Sequence, residues 1–115
     1  MAAVGLPRRY LALGDSYTIG EGVAAEQRWP EQLAEGLRAY GWPVAAPQLI
    51  ATTGWTTDEL QAGIDAAAPQ GPFDLVSLLI GVNNQYRERT LDAYRAEFDD
   101  LLPVSYTHLT LPTIL

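Results

Sequence analysis

The chain has 115 residues, 48% hydrophobic and 18% charged, which suits one globular domain and excludes a disordered or fibrous chain. Fourteen acidic side chains face seven arginines and no lysine; the net charge of −7 disfavours nucleic acid and anionic membranes as partners and removes any lysine chemistry. Without cysteine there is no disulfide framework or thiolate chemistry, and no cofactor or metal is expected.

Residues 1–9 are too short and polar for a signal peptide, and no apolar run approaches the roughly 18 residues of a membrane span. A soluble, cytoplasmic protein without a membrane span is therefore expected.

The first element is the apolar run Tyr10-Leu11-Ala12-Leu13, a short buried strand that ends at Gly14. Trp29, Leu33, Leu37 and Tyr40 then recur at helical spacing, with Pro30 in the first turn and Gly41 as a stop. Gln48 to Ala51 reads as a second strand. Thr56 with Glu59 three residues on is a capping box, opening a helix striped by Leu60, Ile64 and Ala67 and ended by Pro69. Leu75 to Ile80 is almost continuously apolar apart from Ser77, as in a strand covered on both faces. Thr90 caps a third helix that carries Leu91, Tyr94, Phe98, Leu101 and Leu102.

Alternating strands and helices predict an α/β fold with a parallel sheet and right-handed crossovers. Ligands of open α/β sheets bind beyond the carboxyl ends of the strands. Three loops leave those ends, at residues 14–22, 52–55 and 81–89, and they hold most of the chemically useful side chains. Beyond them, residues 103–115 carry no charge and no glycine. Tyr106, His108 and Thr110 alternate as in a strand, but Pro112 interrupts the pattern. Residues 104–113 resemble translated sequencing-adapter sequence at the broken end of a reading frame. Residues 103–115 are accordingly expected to be a non-native or disordered tail.

The first loop opens with Gly14-Asp15-Ser16-Tyr17. A serine delivered by a strand tip between glycines is placed as an exposed nucleophile needs to be. Together with Gly54 in Thr52-Thr53-Gly54-Trp55-Thr56 and with Gly81-Val82-Asn83-Asn84, this resembles the first three sequence blocks of the SGNH, or GDSL-type, serine hydrolases. The resemblance covers about residues 8–102 and implies the N-terminal part of such a domain. It implies a flavodoxin-like three-layer α/β/α fold, here cut to about three strands, and hydrolysis of esters, thioesters or acetyl groups on small-molecule lipid or sugar substrates.

By position, Ser16 matches the family's nucleophile, and Ser16, Gly54 and Asn83 match its oxyanion hole. Fixed donors aimed at a developing oxyanion are usually the largest single catalytic contribution. Tyr17, Trp55 and Tyr86 flank the same loops and are candidates for substrate contact. Asp15 is read as structural, and Arg87 and Arg89 as a solvated rim. Asn84 stands where aspartate is frequent, which leaves one local hydrogen bond open.

The family's last block, an aspartate followed three residues later by histidine, has no counterpart. The single histidine is His108, and Ser105 precedes it by three. A serine hydroxyl is a poor nucleophile until a positioned base takes its proton. The chain by itself is therefore expected to be nearly inactive. A non-catalytic flavodoxin-like binding or interaction module is the alternative. A nucleotide or flavin module would need a phosphate-cradling glycine loop, and a receiver domain an aspartate at the third strand tip; neither is present.

Overall fold

The computed structural model describes residues 7–107. Three strands, β1 (Tyr10–Gly14), β2 (Gln48–Ala51) and β3 (Leu75–Leu79), form a parallel sheet in the order β2-β1-β3. Between and after them lie α1 (Ser16–Ile19), a 3₁₀ turn (Ala25–Gln27), α2 (Trp29–Ala39), α3 (Thr57–Ala67), α4 (Val82–Tyr86) and α5 (Leu91–Thr107). The expected α/β class and parallel sheet are present.

The central strand divides the core into two. Leu11 and Leu13 point to one face, where they meet Ile50, Leu60, Ile64, Phe73, Ile80 and Leu101. Tyr10 and Ala12 point to the other, against Ala34 and Val44. Helices α3 and α5 thus cover one side and α2 the other, giving three layers. Leu11, Leu13 and Leu60 are fully buried, each stabilising the fold by about 1.5–3 kcal/mol.

Several local expectations change. On α2 the buried positions are Pro30 and Ala34, with Leu37 packed beside them, whereas Leu33 and Tyr40 face solvent and Trp29 is only half-buried. The helix turns Ala34 inward, where it shares a buried cluster with Tyr10, Ala12 and Val44. Ala67 is exposed, so the α3 stripe ends at Ile64. Strand β3 is half-buried rather than covered on both faces, since it is an edge strand among the described residues.

On α5 the inward line is Tyr94, Phe98 and Leu101, while Leu91 and Leu102 are exposed. Thr90 caps α5 as expected, its hydroxyl accepting from the Ala93 N–H at 3.1 Å. The helix continues through Pro103 to Thr107, so the start of the tail is helical and not a strand. His108 and the residues after it lie outside the described residues. Among the described residues, no helix is long and apolar enough to cross a membrane.

Candidate active site

In-register pairing of Gly14 with Ala51 on one side and Leu79 on the other sets the three strand ends level. The loops carrying Ser16, Gly54 and Asn83 therefore leave the same edge of the sheet. Gly14 ends β1, and the chain turns at once into α1. Asp15, 1% exposed, caps that short helix through its carboxylate, which accepts from the Tyr17 N–H at 2.9 Å. Asp15 is thus structural, as its position next to the serine implied.

Ser16 becomes the first residue of α1, half-buried, with a backbone N–H that has no acceptor inside the helix. Its hydroxyl has no hydrogen-bond partner among the described residues.

Gly54 occupies the third position of a tight turn closed by the Trp55 N–H donating to the Thr52 carbonyl at 3.2 Å. Its φ of +86° makes this a type II turn, a conformation in which only glycine is free of strain. In such a turn the N–H of the third residue stays outside the turn's own hydrogen bond. Among the described residues the Gly54 N–H has no acceptor.

Asn83 stands in the first turn of α4, and its side-chain amide donates to the Trp55 carbonyl at 2.9 Å. That bond uses one of its two amide hydrogens and joins the Asn83 loop directly to the Gly54 loop.

Asn84 fills the place in doubt. It is 2% exposed; its Oδ1 accepts from the Thr57 N–H at 3.1 Å, and its Nδ2 donates to Thr57 Oγ1 at 2.9 Å. The Thr57 hydroxyl in turn donates to the Glu97 carboxylate on α5. An amide suits this position because it can donate to the hydroxyl and accept from the backbone at once.

Arg87 and Arg89 stay partly exposed, as a solvated rim would, but both are paired. Arg87 donates to the Gly54 carbonyl at 2.5 Å and pairs with Glu59 at 3.1 Å, while Arg89 pairs with Asp58 at 2.6 Å. Glu59 completes the capping box by accepting from the Thr56 N–H at 3.0 Å. The Thr56 backbone bond, ahead of the Arg87 contact, lowers the pKa of Glu59 below the ordinary carboxylate range. For Asp58 the Thr56 hydroxyl is the main cause of a shift in the same direction, with Arg89 adding to it. Sequence patterning misses these bridges because each joins residues about 30 positions apart; the one visible signal was arginine recurring just after the asparagine pair.

The three aromatic candidates separate. Trp55 packs against the core, with its ring laid over Gly63 of α3. Tyr17 and Tyr86 are exposed beside the loops, Tyr86 at 86%. A cavity of about 540 Å³ opens on the other flank of α4, lined by Ile80, Val82, Asn84, Leu91 and Tyr94 among others; Ser16, Tyr17, Trp55 and Tyr86 are not in its wall. Among the described residues no group of three or more His, Cys, Asp or Glu side chains could hold a metal ion.

The strand-tip serine and the two braced loops thus share one edge of a parallel α/β sheet. Residues 12–109 match the GDSL-like lipase/acylhydrolase family, and the chain belongs to that family. Three solved structures share the fold. AlinE4, an SGNH-hydrolase family esterase, has 24% identity and a TM-score of 0.77 over 88% of this chain. TesA has 19% identity and a TM-score of 0.78 over 88% of this chain. The psychrotrophic esterase EstA from Pseudoalteromonas sp. has 20% identity and a TM-score of 0.74 over 88% of this chain. The chain covers only 54%, 56% and 55% of those three proteins, a little over half their length. No curated protein matches it by sequence.

Proposed function

We propose that the protein is a serine hydrolase of small-molecule carboxylic esters, acting through an acyl-enzyme on Ser16. Ser16 Oγ attacks the ester carbonyl and gives its proton to a base. The resulting oxyanion receives hydrogen bonds from the Ser16 and Gly54 backbone N–H groups and from the Asn83 amide. Collapse expels the alcohol, which takes up the proton, and water then releases the acid by the same steps.

The observation that carries this reading is the Gly54 N–H, held outside its turn with no acceptor among the described residues and joined through Trp55 to Asn83. An unpaired donor on a loop that leaves the same sheet edge as the strand-tip serine suits a charge that exists only during reaction. Tyr17 and Tyr86 supply exposed aromatic surface for the acyl or sugar portion of the substrate.

No histidine lies among the described residues, so in this reading the base comes from outside them. Without a positioned base, only the contribution of binding and oxyanion donors remains, about 10³–10⁴ over water. Hydrolysis of p-nitrophenyl butyrate by the 115-residue chain, with imidazole added as a diffusible base, tests the assignment. Ser16→Ala should abolish the imidazole-assisted turnover and leave only what binding and the oxyanion donors supply, and Asn83→Ala should lower the imidazole-assisted turnover by about 10²–10³. Undiminished turnover in Ser16→Ala would sink the proposal.

A further inference from the structure

We propose that Arg87 is a positioning residue that holds the Gly54 turn in register with Asn83; the inference rests on the oxyanion reading above. Arg87 sits at the C-terminal end of α4, where its backbone N–H donates to the Asn83 carbonyl at 2.9 Å. Its side chain reaches back across the site. Nη2 donates to the Gly54 carbonyl at 2.5 Å, and Nη1 meets Glu59 Oε1 at 3.1 Å. The same Glu59 oxygen accepts from the Thr56 N–H at 3.0 Å. Gly54, Trp55 and Thr56 are thus each held from α3 or α4, by Arg87, Asn83 and Glu59 in turn.

A turn whose third residue is glycine is intrinsically loose, because glycine readily adopts other backbone conformations. Among the described residues, the guanidinium is what joins this turn to both the asparagine helix and the capping box. Its planar fork serves a carbonyl and a carboxylate together, which the single ammonium of a lysine does less well.

Both partners are partly exposed, at 41% for Arg87 and 38% for Glu59, so as an ion pair they contribute little to stability, about 0–1 kcal/mol. Geometry is where the arrangement matters. A donor displaced by about 1 Å can cost 10²-fold in rate.

Two measurements on the full chain decide the matter. Hydrogen exchange should become at least tenfold faster at the Trp55 and Thr56 amides in Arg87→Met, which keeps the aliphatic stem. Imidazole-assisted hydrolysis of p-nitrophenyl butyrate should fall about 10–100-fold in kcat with KM within about twofold, the pattern of a lost transition-state interaction. Arg87→Lys should lie between wild type and Arg87→Met. Arg8→Met, which removes an exposed ion pair with Asp74 ahead of β1, should change neither quantity.

Unchanged exchange at Trp55 and Thr56 overturns the inference whatever the kinetics show. An unchanged kcat in Arg87→Met, with the imidazole-assisted turnover lost in Ser16→Ala, also overturns it. If wild type shows no Ser16-dependent turnover, the functional reading fails on its own, and the exchange result still decides whether Arg87 holds the turn.

Discussion

Asn84 offers the sharpest test of how the two loops are held together. Asn84→Ala removes the acceptor of the Thr57 N–H and the donor to the Thr57 hydroxyl, in a place where Thr57 is 0% exposed. An orphaned buried N–H costs about 1–3 kcal/mol, and the lost side-chain bond about 1 kcal/mol more, so roughly 2–4 kcal/mol is expected. A 115-residue chain unfolds with an entropy near 0.24 kcal/mol/K, which makes this a drop in Tm of about 8–16 °C.

Asn84→Asp is the more discriminating change. The carboxylate still accepts from the Thr57 N–H, but it cannot donate to the hydroxyl, which already gives its proton to Glu97. Two carboxylates then share one hydroxyl, and the pKa of the pair should rise. A carboxyl whose folded pKa is raised is favoured in its protonated form, so the penalty is present at pH 7 and shrinks as pH falls through that raised value. Urea denaturation of the variant and wild type at pH 7 and pH 5 reads the difference directly. An Asn84→Ala penalty below about 0.5 kcal/mol, or an Asn84→Asp penalty that ignores pH, would refute the argument.

Two glycines on helices should respond in opposite directions to the same substitution. A Cβ on Gly63 would lie 2.7 Å from Trp55 Cζ3 and nearer still to Cη2, so Gly63→Ala should destabilise by about 1–3 kcal/mol despite better helix propensity. Gly36 on α2 has nothing within 4 Å of that position, and Gly36→Ala should stabilise by about 0.5–1 kcal/mol; paired thermal melts check both. The lowered pKa of Glu59 contributes stability above its ordinary value near 4.5, lost as pH falls through the folded value. Glu59→Gln should therefore flatten part of the acid limb of a stability-against-pH curve, and an unchanged limb would contradict the cause assigned to the shift.

Much of this was legible in one dimension. Short, largely apolar runs marked all three strands, the first and third of them ending at glycine, and alternation with helices pointed to a parallel α/β sheet. The capping box at Thr56 and Glu59 and the cap at Thr90 are local hydrogen bonds, so a local pattern reveals them. Ser16, Gly54 and Asn83 were picked out by their resemblance to the family's first three sequence blocks, each of which closely follows a strand, and parallel strands deliver such loops to one edge.

The sheet and helix faces were harder. The inward face of α2 centres on Ala34, which joins Ala12 in one buried cluster, whereas periodicity read from the large side chains pointed to Leu33 and Tyr40 instead. Likewise, nothing in the spacing told Trp55, packed over Gly63, from Tyr17 and Tyr86, exposed beside the same loops.

By itself, then, the sequence determined the architecture, because hydrophobic period, turn glycines and caps act over a few residues, and its three motif blocks carried the resemblance to the family. Only the tertiary structure decided how the candidate site is held. Arg87 reaches Gly54 from 33 positions away, and Asn84 reaches Thr57 from 27. Such pairs exist only once the sheet has brought its loops together. Their strength comes from charge on the Arg87 bond and from burial around Asn84, neither of which a linear pattern records.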